Sequence, residues 1–130
     1  MGTEILIVED DSALQQMLTW ELEELGYAVT AVDSCRGTRS LSSGRRFDLA
    51  LLDYHLPDGN GIELMEELRR RQPGLPVILS SGMGCVETAA RALRSGAWRF
   101  VPKPASAALL HRLFQSALRR IVGGTSALSQ

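Results

Sequence analysis

Short apolar runs alternate with amphipathic stretches along nearly the whole chain. Runs that are apolar throughout, such as Ile5–Val8, are typical of parallel strands covered on both faces. The predicted strands are Ile5–Val8, Tyr27–Val32, Leu49–Leu52, Val77–Ser80 and Trp98–Val101. Five strands separated by helices predict an α/β fold, a doubly wound parallel sheet with right-handed crossovers.

The stretches between the strands contain helix signals. Ser12-x-x-Gln15 has the pattern of a capping box, and Gly26 lies where the first helix should end. The other predicted helices are 34–43, 61–71, 86–95 and 106–121. We expect Gly123-Gly124 to end the last one, so that residues 1–124 form one domain and 125–130 a flexible tail or the start of a linker.

Polar side chains follow four of the five predicted strands. Glu9-Asp10-Asp11 follows the first strand, Asp53 the third, Ser80-Ser81 ends the fourth, and Lys103-Pro104 follows the fifth. In a doubly wound sheet, the functional site lies beyond the carboxyl ends of the strands. The acids, a hydroxyl and one ammonium group should therefore meet at one edge of the sheet.

Such a group of side chains suits phosphoryl transfer. Carboxylates repel one another unless a cation joins them, and hard oxygen ligands that share the ion with a phosphate favour Mg²⁺. Lys103 adds a fixed positive charge. Two cations beside Asp53 would neutralise the oxygens of an incoming phosphoryl group, which the carboxylate would accept as a nucleophile.

Five separated motifs strengthen this interpretation. They are Val8-Glu9-Asp10, Asp53 with the Pro57-x-Gly59 turn, the segment 76–82 (PVILSSG), Phe100, and Lys103-Pro104. In these motifs and their order the chain resembles bacterial response-regulator receiver domains, over about residues 4–121. Segments 86–89 and 96–98 look most like receivers that control transcription through enhancer-binding activators. The resemblance implies a flavodoxin-like (βα)5 fold with strand order 2-1-3-4-5.

The resemblance also assigns roles around the metal. Asp53 is the phosphorylated residue, and Asp10 and Asp53 bind Mg²⁺ directly. Glu9 binds it through water, and the backbone carbonyl of His55 completes the site. The His55 side chain has two readings, a base for dephosphorylation or an exposed loop residue, and the second is favoured.

Three further residues receive roles from the resemblance. Ser81 bonds a phosphoryl oxygen, and Lys103 pairs with Asp53 or its phosphoryl group. Phe100 is an aromatic switch, although an aromatic residue beside the last strand could also be plain core. Ser80 and Ser81 should point to opposite faces of a strand, so only one can face the site, and the motif spacing favours Ser81.

Other functions fit less well. An aspartyl-phosphate phosphohydrolase would have a second acid two residues after Asp53, where this chain has His55. A pseudo-receiver would lack one of the acids or the lysine. A nucleic-acid-binding module would need a reading motif beside its basic residues. We therefore expect a signalling phosphoacceptor, not an enzyme with turnover, which serves a sensor histidine kinase or phosphotransfer protein and controls an output domain.

The composition also predicts the cellular compartment, and the charged residues are unevenly distributed along the chain. All 15 acidic residues lie in residues 1–87, whereas residues 88–130 contain seven basic residues and no acid. The basic part predicts contact with an acidic partner surface, without direct binding of nucleic acid. Two distant cysteines, Cys35 and Cys85, predict buried reduced thiols, and the lack of a leader or long apolar run predicts a cytoplasmic protein with no membrane partner.

Overall fold

A computed structural model describes residues 2–41, 44–82 and 86–128, with side chains as far as Arg119. The strands are β1 (Glu4–Val8), β2 (Ala28–Val32), β3 (Leu49–Asp53), β4 (His55–Leu56), β5 (Gly59–Asn60), β6 (Val77–Ser81) and β7 (Arg99–Pro102). The helices are α1 (Ser12–Glu24), α2 (Cys35–Arg39), α3 (Gly61–Arg71), α4 (Val86–Arg94) and α5 (Ala107–Leu128).

The five long strands form one parallel sheet in the order β2-β1-β3-β6-β7. Counting only these strands, this is the predicted order 2-1-3-4-5, and the doubly wound fold is confirmed. The register pairs Val8 with both Val32 and Leu52, and Asp53 with Ser80. The strands that precede the predicted site therefore end at nearly the same level.

Two apolar layers cover the sheet because neighbouring side chains on a strand point to opposite faces. Leu6 and Val8 pack with α3 and α4 residues such as Leu64 and Ala92. Ile5 and Ile7 pack on the other face with α1 and α5, where Phe114 is fully buried. No helix in the part of the chain that the structure describes has the length and apolarity to cross a membrane.

Several local predictions are corrected. The first helix is capped by Asp11, whose carboxylate accepts from the Leu14 amide, and not by the predicted Ser12 capping box. Asp11 and Ser12 both lie close enough to the first turn, so sequence spacing did not separate them. The two tryptophans differ in burial: Trp20 is 66% exposed, whereas Trp98 is half-buried against the α1–α5 side of the sheet.

The last helix does not stop where the glycines predicted. α5 continues through Gly123-Gly124 to Leu128. A glycine in a helix costs about 1 kcal/mol relative to alanine, but a helix that is already nucleated gains a hydrogen bond with each added residue. The sequence pattern also contained no signal for the two-stranded ribbon of β4 and β5. α2 is shorter than the helix predicted over 34–43. Residues 42 and 43 of that prediction lie outside the described residues, as does Cys85.

Candidate phosphoacceptor site

Three carboxylates converge at the ends of β1 and β3. Oxygens of Glu9, Asp10 and Asp53 all lie within 4.8 Å of one another. The side-chain amide of Gln15 holds the end of β1 in place, since it donates to the backbone oxygens of Glu9 and Val32 at 3.0 Å each. Glu9 and Asp53 are each only 4% exposed, whereas Asp10 is exposed.

Asp53 is fixed from two sides. The amide of His55 donates to Asp53 Oδ1 at 3.2 Å, and the amide of Tyr54 donates to the backbone oxygen of Ser80 at 2.7 Å. Behind it, a Cβ atom placed on Gly61 would lie 2.6 Å from the Asp53 backbone oxygen and 2.7 Å from Leu79 Cδ2. Only glycine lets α3 begin this close to the end of β3.

Lys103 joins the two buried carboxylates. Its Nζ lies 2.7 Å from Glu9 Oε1 and 2.9 Å from Asp53 Oδ2. Its backbone N–H donates to the backbone oxygen of Ser81 at 3.0 Å, and the Lys103-Pro104 peptide bond is cis. The lysine predicted as the second cation is thus paired with Asp53 and also with Glu9.

Burial and pairing act in opposite directions on the site's pKa values. Burial raises the pKa of Glu9, and the bonds from Lys103 and the Asp11 amide offset this only in part. Burial would lower the pKa of Lys103, but its hydrogen bonds to Glu9 and Asp53 prevail and hold the pKa above its ordinary value. Lys103 therefore stays an ammonium ion at neutral pH.

The other predicted residues lie at or near this edge. Ser80 is in register with Asp53 and lines the small cavity beneath it, whereas Ser81 is one residue farther along β6 and completely buried. The His55 side chain is exposed and packs edge-on against Tyr54. Phe100 is half-buried, in register with Leu79 and packed on the α3–α4 side of the sheet.

Sequence reasoning missed a clamp beside the site. Both carboxylate oxygens of Asp58 accept backbone N–H groups at the start of α2, from Cys35 and Arg36, at 2.9 Å each. These bonds lower the pKa of Asp58. They join the turn after Asp53 to α2, and we call this contact the Asp58 clamp. The spacing of 22 and 23 residues between the partners gives no local sequence signal.

Cys35 is shielded next to the clamp. Its thiol is buried, and burial together with Asp58 raises its pKa to about 11. A Cβ atom on Gly59 would lie 3.0 Å from Cys35 Sγ. The prediction of a buried, reduced thiol is confirmed for Cys35.

The donor set suits a hard divalent cation. Carboxylate oxygens from three residues converge, and Asp10 reaches solvent, which allows an ion to keep several waters and share itself with a phosphate. Three carboxylates and one ammonium leave a net charge of −2, which a divalent ion would neutralise. The arrangement can therefore place two positive charges around one nearly buried carboxylate.

Known proteins are similar to this chain in sequence. The family model for the response regulator receiver domain matches residues 5–115. The response regulator protein FleR of Pseudomonas aeruginosa is 36% identical over 124 residues, which are 95% of this chain and 26% of FleR. PilR, another response regulator of that bacterium, is 33% identical over 114 residues, 88% of this chain and 26% of PilR.

A solved structure of a receiver domain is also similar to this chain. A CheY-like response regulator receiver domain protein from Methanospirillum hungatei JF-1 has a TM-score of 0.83 and 30% identity, covering 92% of this chain and 97% of that one. The chain spans about a quarter of the length of FleR and of PilR. Because the family match covers residues 5–115 and these relatives are at least 30% identical, the chain belongs to the family of response regulator receiver domains.

Proposed function

We propose that Asp53 accepts a phosphoryl group in a Mg²⁺-dependent reaction and that this chain thereby switches an attached or associated output. Receiver domains of two-component response regulators are phosphorylated on an aspartate, and the chain belongs to that family. The observation that supports Asp53 most is its place among Glu9, Asp10 and Lys103, nearly buried at the end of β3.

The site's residues would divide the work. A carboxylate oxygen of Asp53 forms the new P–O bond while the bond between phosphorus and the donor's leaving group breaks, and the leaving group keeps that electron pair. A bound Mg²⁺ would neutralise phosphoryl oxygens as the charge shifts. Lys103, whose Nζ lies 2.9 Å from Asp53 Oδ2, would supply a second positive charge to those oxygens.

Asp10 and Asp53 are proposed to bind the metal directly, with the His55 carbonyl. Both oxygens of Glu9 already accept bonds, one from Lys103 at 2.7 Å and the other from the Asp11 amide at 3.0 Å. Glu9 is therefore better placed to reach the ion through a water molecule than to bind it directly. Through its ion pair, Glu9 also holds the ammonium group of Lys103 in position.

Ser81 is proposed to bond a phosphoryl oxygen, and Phe100 to move inward upon phosphorylation. Ser81 follows Ser80, the register partner of Asp53, and the backbone N–H of Lys103 donates to the backbone oxygen of Ser81. The neighbouring Ser80 offers a matched control. Ser81→Ala should weaken the activated state, and Ser80→Ala should not.

The donor and the output are proposed from the family and from the lengths of the relatives. The donor is proposed to be a sensor histidine kinase or phosphotransfer protein in the cytoplasm. FleR and PilR are each about four times the length of the matched segment. An output domain that controls transcription, joined to or bound by this receiver, fits that proportion and the resemblance to receivers of enhancer-binding activators.

Incubation with acetyl phosphate tests the assignment. The intact mass should rise by one phosphoryl group with Mg²⁺ and stay unchanged with chelator, and the modification should map to Asp53. Asp53→Asn should block it, whereas Asp48→Asn, an acid at the other end of β3, serves as control. Equal phosphorylation of Asp53→Asn would refute the proposal.

A further inference from the structure

A second concave site lies at the opposite edge of the sheet from Asp53. It is a cleft of about 500 Å³ at the amino-terminal ends of β6 and β7, about 15 Å along the strands from the carboxylates. Its walls are residues 73–76, residues 96–99, Arg69 and Ala117. The lining contains two guanidinium groups, those of Arg69 and Arg99, and no carboxylate among the described residues.

Arg69 enters the cleft as a half-buried charge. Its Nε donates to the backbone oxygen of Leu75 at 3.3 Å, and within the described residues it forms no ion pair. A Cβ atom on Gly96 would collide with Arg69 Nη1, so this glycine provides the room for the guanidinium. Burial without a counter-charge lowers the pKa of Arg69. An anion would offset that unfavourable burial.

Arg99 is held beside the same space. Its guanidinium carbon lies 4.1 Å from the centre of the Trp98 ring, and Nη1 donates to the Trp98 backbone oxygen at 2.9 Å. Stacking fixes the plane of the guanidinium and leaves further N–H donors unused by these contacts. Two guanidinium groups at one cleft give the planar, paired donors that match oxyanions.

We propose that this cleft binds a small oxyanion, the phosphate or carboxylate group of a small molecule. Its volume falls within the range of about 300–1,000 Å³ that is typical of small-molecule sites. The lining supplies apolar surface from Pro73 and Trp98 next to the two positive charges. Nothing in this site depends on Asp53, so the proposal stands apart from the phosphorylation reaction.

Amide NMR titration of the intact chain tests it. The probes are inorganic phosphate and sodium acetate, each at constant ionic strength with chloride as reference, without Mg²⁺. The amides of Gly74 and Gly96 and the Trp98 indole should shift saturably with one or both probes, and phosphate against acetate tells which group is preferred. Shifts equal to those in chloride, or shifts confined to the strand ends around Asp53, would overturn the proposal.

Substitutions at the two arginines sharpen the result. Arg69→Gln and Arg99→Gln should each weaken binding roughly tenfold or more, as expected for a lost hydrogen bond to a charged group. Arg91→Gln, an exposed arginine of α4 that does not line the cleft, should bind like the unchanged chain. Arg99 is itself exposed, so its replacement keeps the test valid even if Arg69→Gln unfolds. Unaltered binding in Arg99→Gln and Arg69→Gln would contradict the site.

Discussion

Lys103 is the shared partner of two nearly buried carboxylates that come from strands far apart in sequence. Its side chain is 19% exposed, and those of Glu9 and Asp53 are 6% and 4% exposed. Ion pairs this shielded differ from surface pairs, because removing one partner leaves an uncompensated charge in a poorly solvated place. The residue thus contributes to stability as well as to the proposed chemistry.

Lys103→Ala should therefore lower the free energy of unfolding by about 1–3 kcal/mol in the absence of metal. Added Mg²⁺ should restore part of this loss, because it replaces the missing positive charge. Phosphorylation from acetyl phosphate should slow by at least about tenfold, the effect of losing roughly 1.4 kcal/mol of charge stabilisation in the transition state. Urea unfolding with and without Mg²⁺, and mass spectrometry over time, measure the two effects.

Lys103→Met is the matched control for packing, since it keeps the length of the side chain without its charge. Lys103→Arg is not a conservative change here, because the guanidinium is longer and planar. A Lys103→Ala variant that is phosphorylated at the normal rate would contradict the role given to this residue.

The Asp58 clamp predicts a pH dependence. Two N–H bonds lower the pKa of Asp58 in the folded chain, so its stabilisation is present above the unfolded pKa of about 4 and is lost as the pH falls through the folded value. Asp58→Asn should be less stable than the unchanged chain at about pH 7, and the difference should shrink at about pH 3. Urea unfolding at both values checks this; Asp33→Asn, another exposed acid, controls for general charge. A constant difference across this pH range would rule out the clamp as its source.

Sequence reasoning found the residues of the site more readily than their partners. Strand ends follow from the apolar pattern, so Asp53 and Lys103 could be assigned to one edge of the sheet from the amino-acid sequence alone. The Lys103–Glu9 pair joins residues 94 apart, and it depends on which of several nearby acids the lysine reaches. Neither pattern nor spacing contains that information.

At the scale of elements, a very close fit occurs where α3 begins against the end of β3. Gly61 is the contact, with the Asp53 backbone oxygen and Leu79 Cδ2 inside the space of any added side chain. α3 starts and ends at the residues that the sequence predicted, Gly61 and Arg71. The sequence did not show that its first residue had to be small.

Gly61→Ala should lower the free energy of unfolding by about 1–3 kcal/mol, because the backbone oxygen cannot move away without shifting Asp53. It should also slow phosphorylation, since the carboxylate of Asp53, the proposed acceptor, moves with its backbone. Gly74→Ala is the control: nothing lies within 4 Å of its added Cβ, and it should be neutral or slightly stabilising. Chemical denaturation compares the pair, and equal stability of Gly61→Ala and the unchanged chain would show that α3 can shift without loss.

The helix boundaries differ from the predictions mainly where more than one glycine or polar residue could cap or end the helix. Glycines at positive φ do end α1 and α4, at Gly26 and Gly96. The pair Gly123-Gly124 does not end α5, because a glycine stops a helix only when the following chain turns away. The amino-acid sequence alone does not distinguish a glycine that ends a helix from one that lies within it.

For the whole molecule, charge segregation makes one face strongly positive. α4, β7 and α5 contain several arginines, of which those described are Arg91, Arg94, Arg99, Arg112 and Arg119. Glu87 is the one acid on these three elements among the described residues. Two copies related by a two-fold axis through this face would bring arginine against arginine.

We predict that this face does not form a two-fold dimer held by reciprocal ion pairs. It should instead bind an acidic partner, such as an output domain or the Glu21-Glu23-Glu24 side of another copy. Sedimentation of the beryllofluoride-activated chain at low and high salt tests this. Association that weakens with salt and is lost in Arg91→Glu, but not in Arg45→Glu outside these three elements, is expected.

A salt-sensitive two-fold dimer through α4 and α5, identified by cross-linking, would contradict this prediction. Exposed ion pairs contribute only about 0–1 kcal/mol each, so they could not outweigh repulsion among several arginines.

Because Cys35 is shielded, the rate at which its thiol reacts with a reagent can measure local opening of the chain around it. A thiol with a pKa of about 11 that is buried behind Gly59 cannot react with a maleimide until α2 and the Pro57–Gly59 turn separate. In a Cys85→Ser background, the labelling rate would therefore report how often the segment next to the proposed phosphoacceptor site opens. Signalling that loosens this segment would be recorded as a faster covalent reaction, readable in a cell extract without any optical probe.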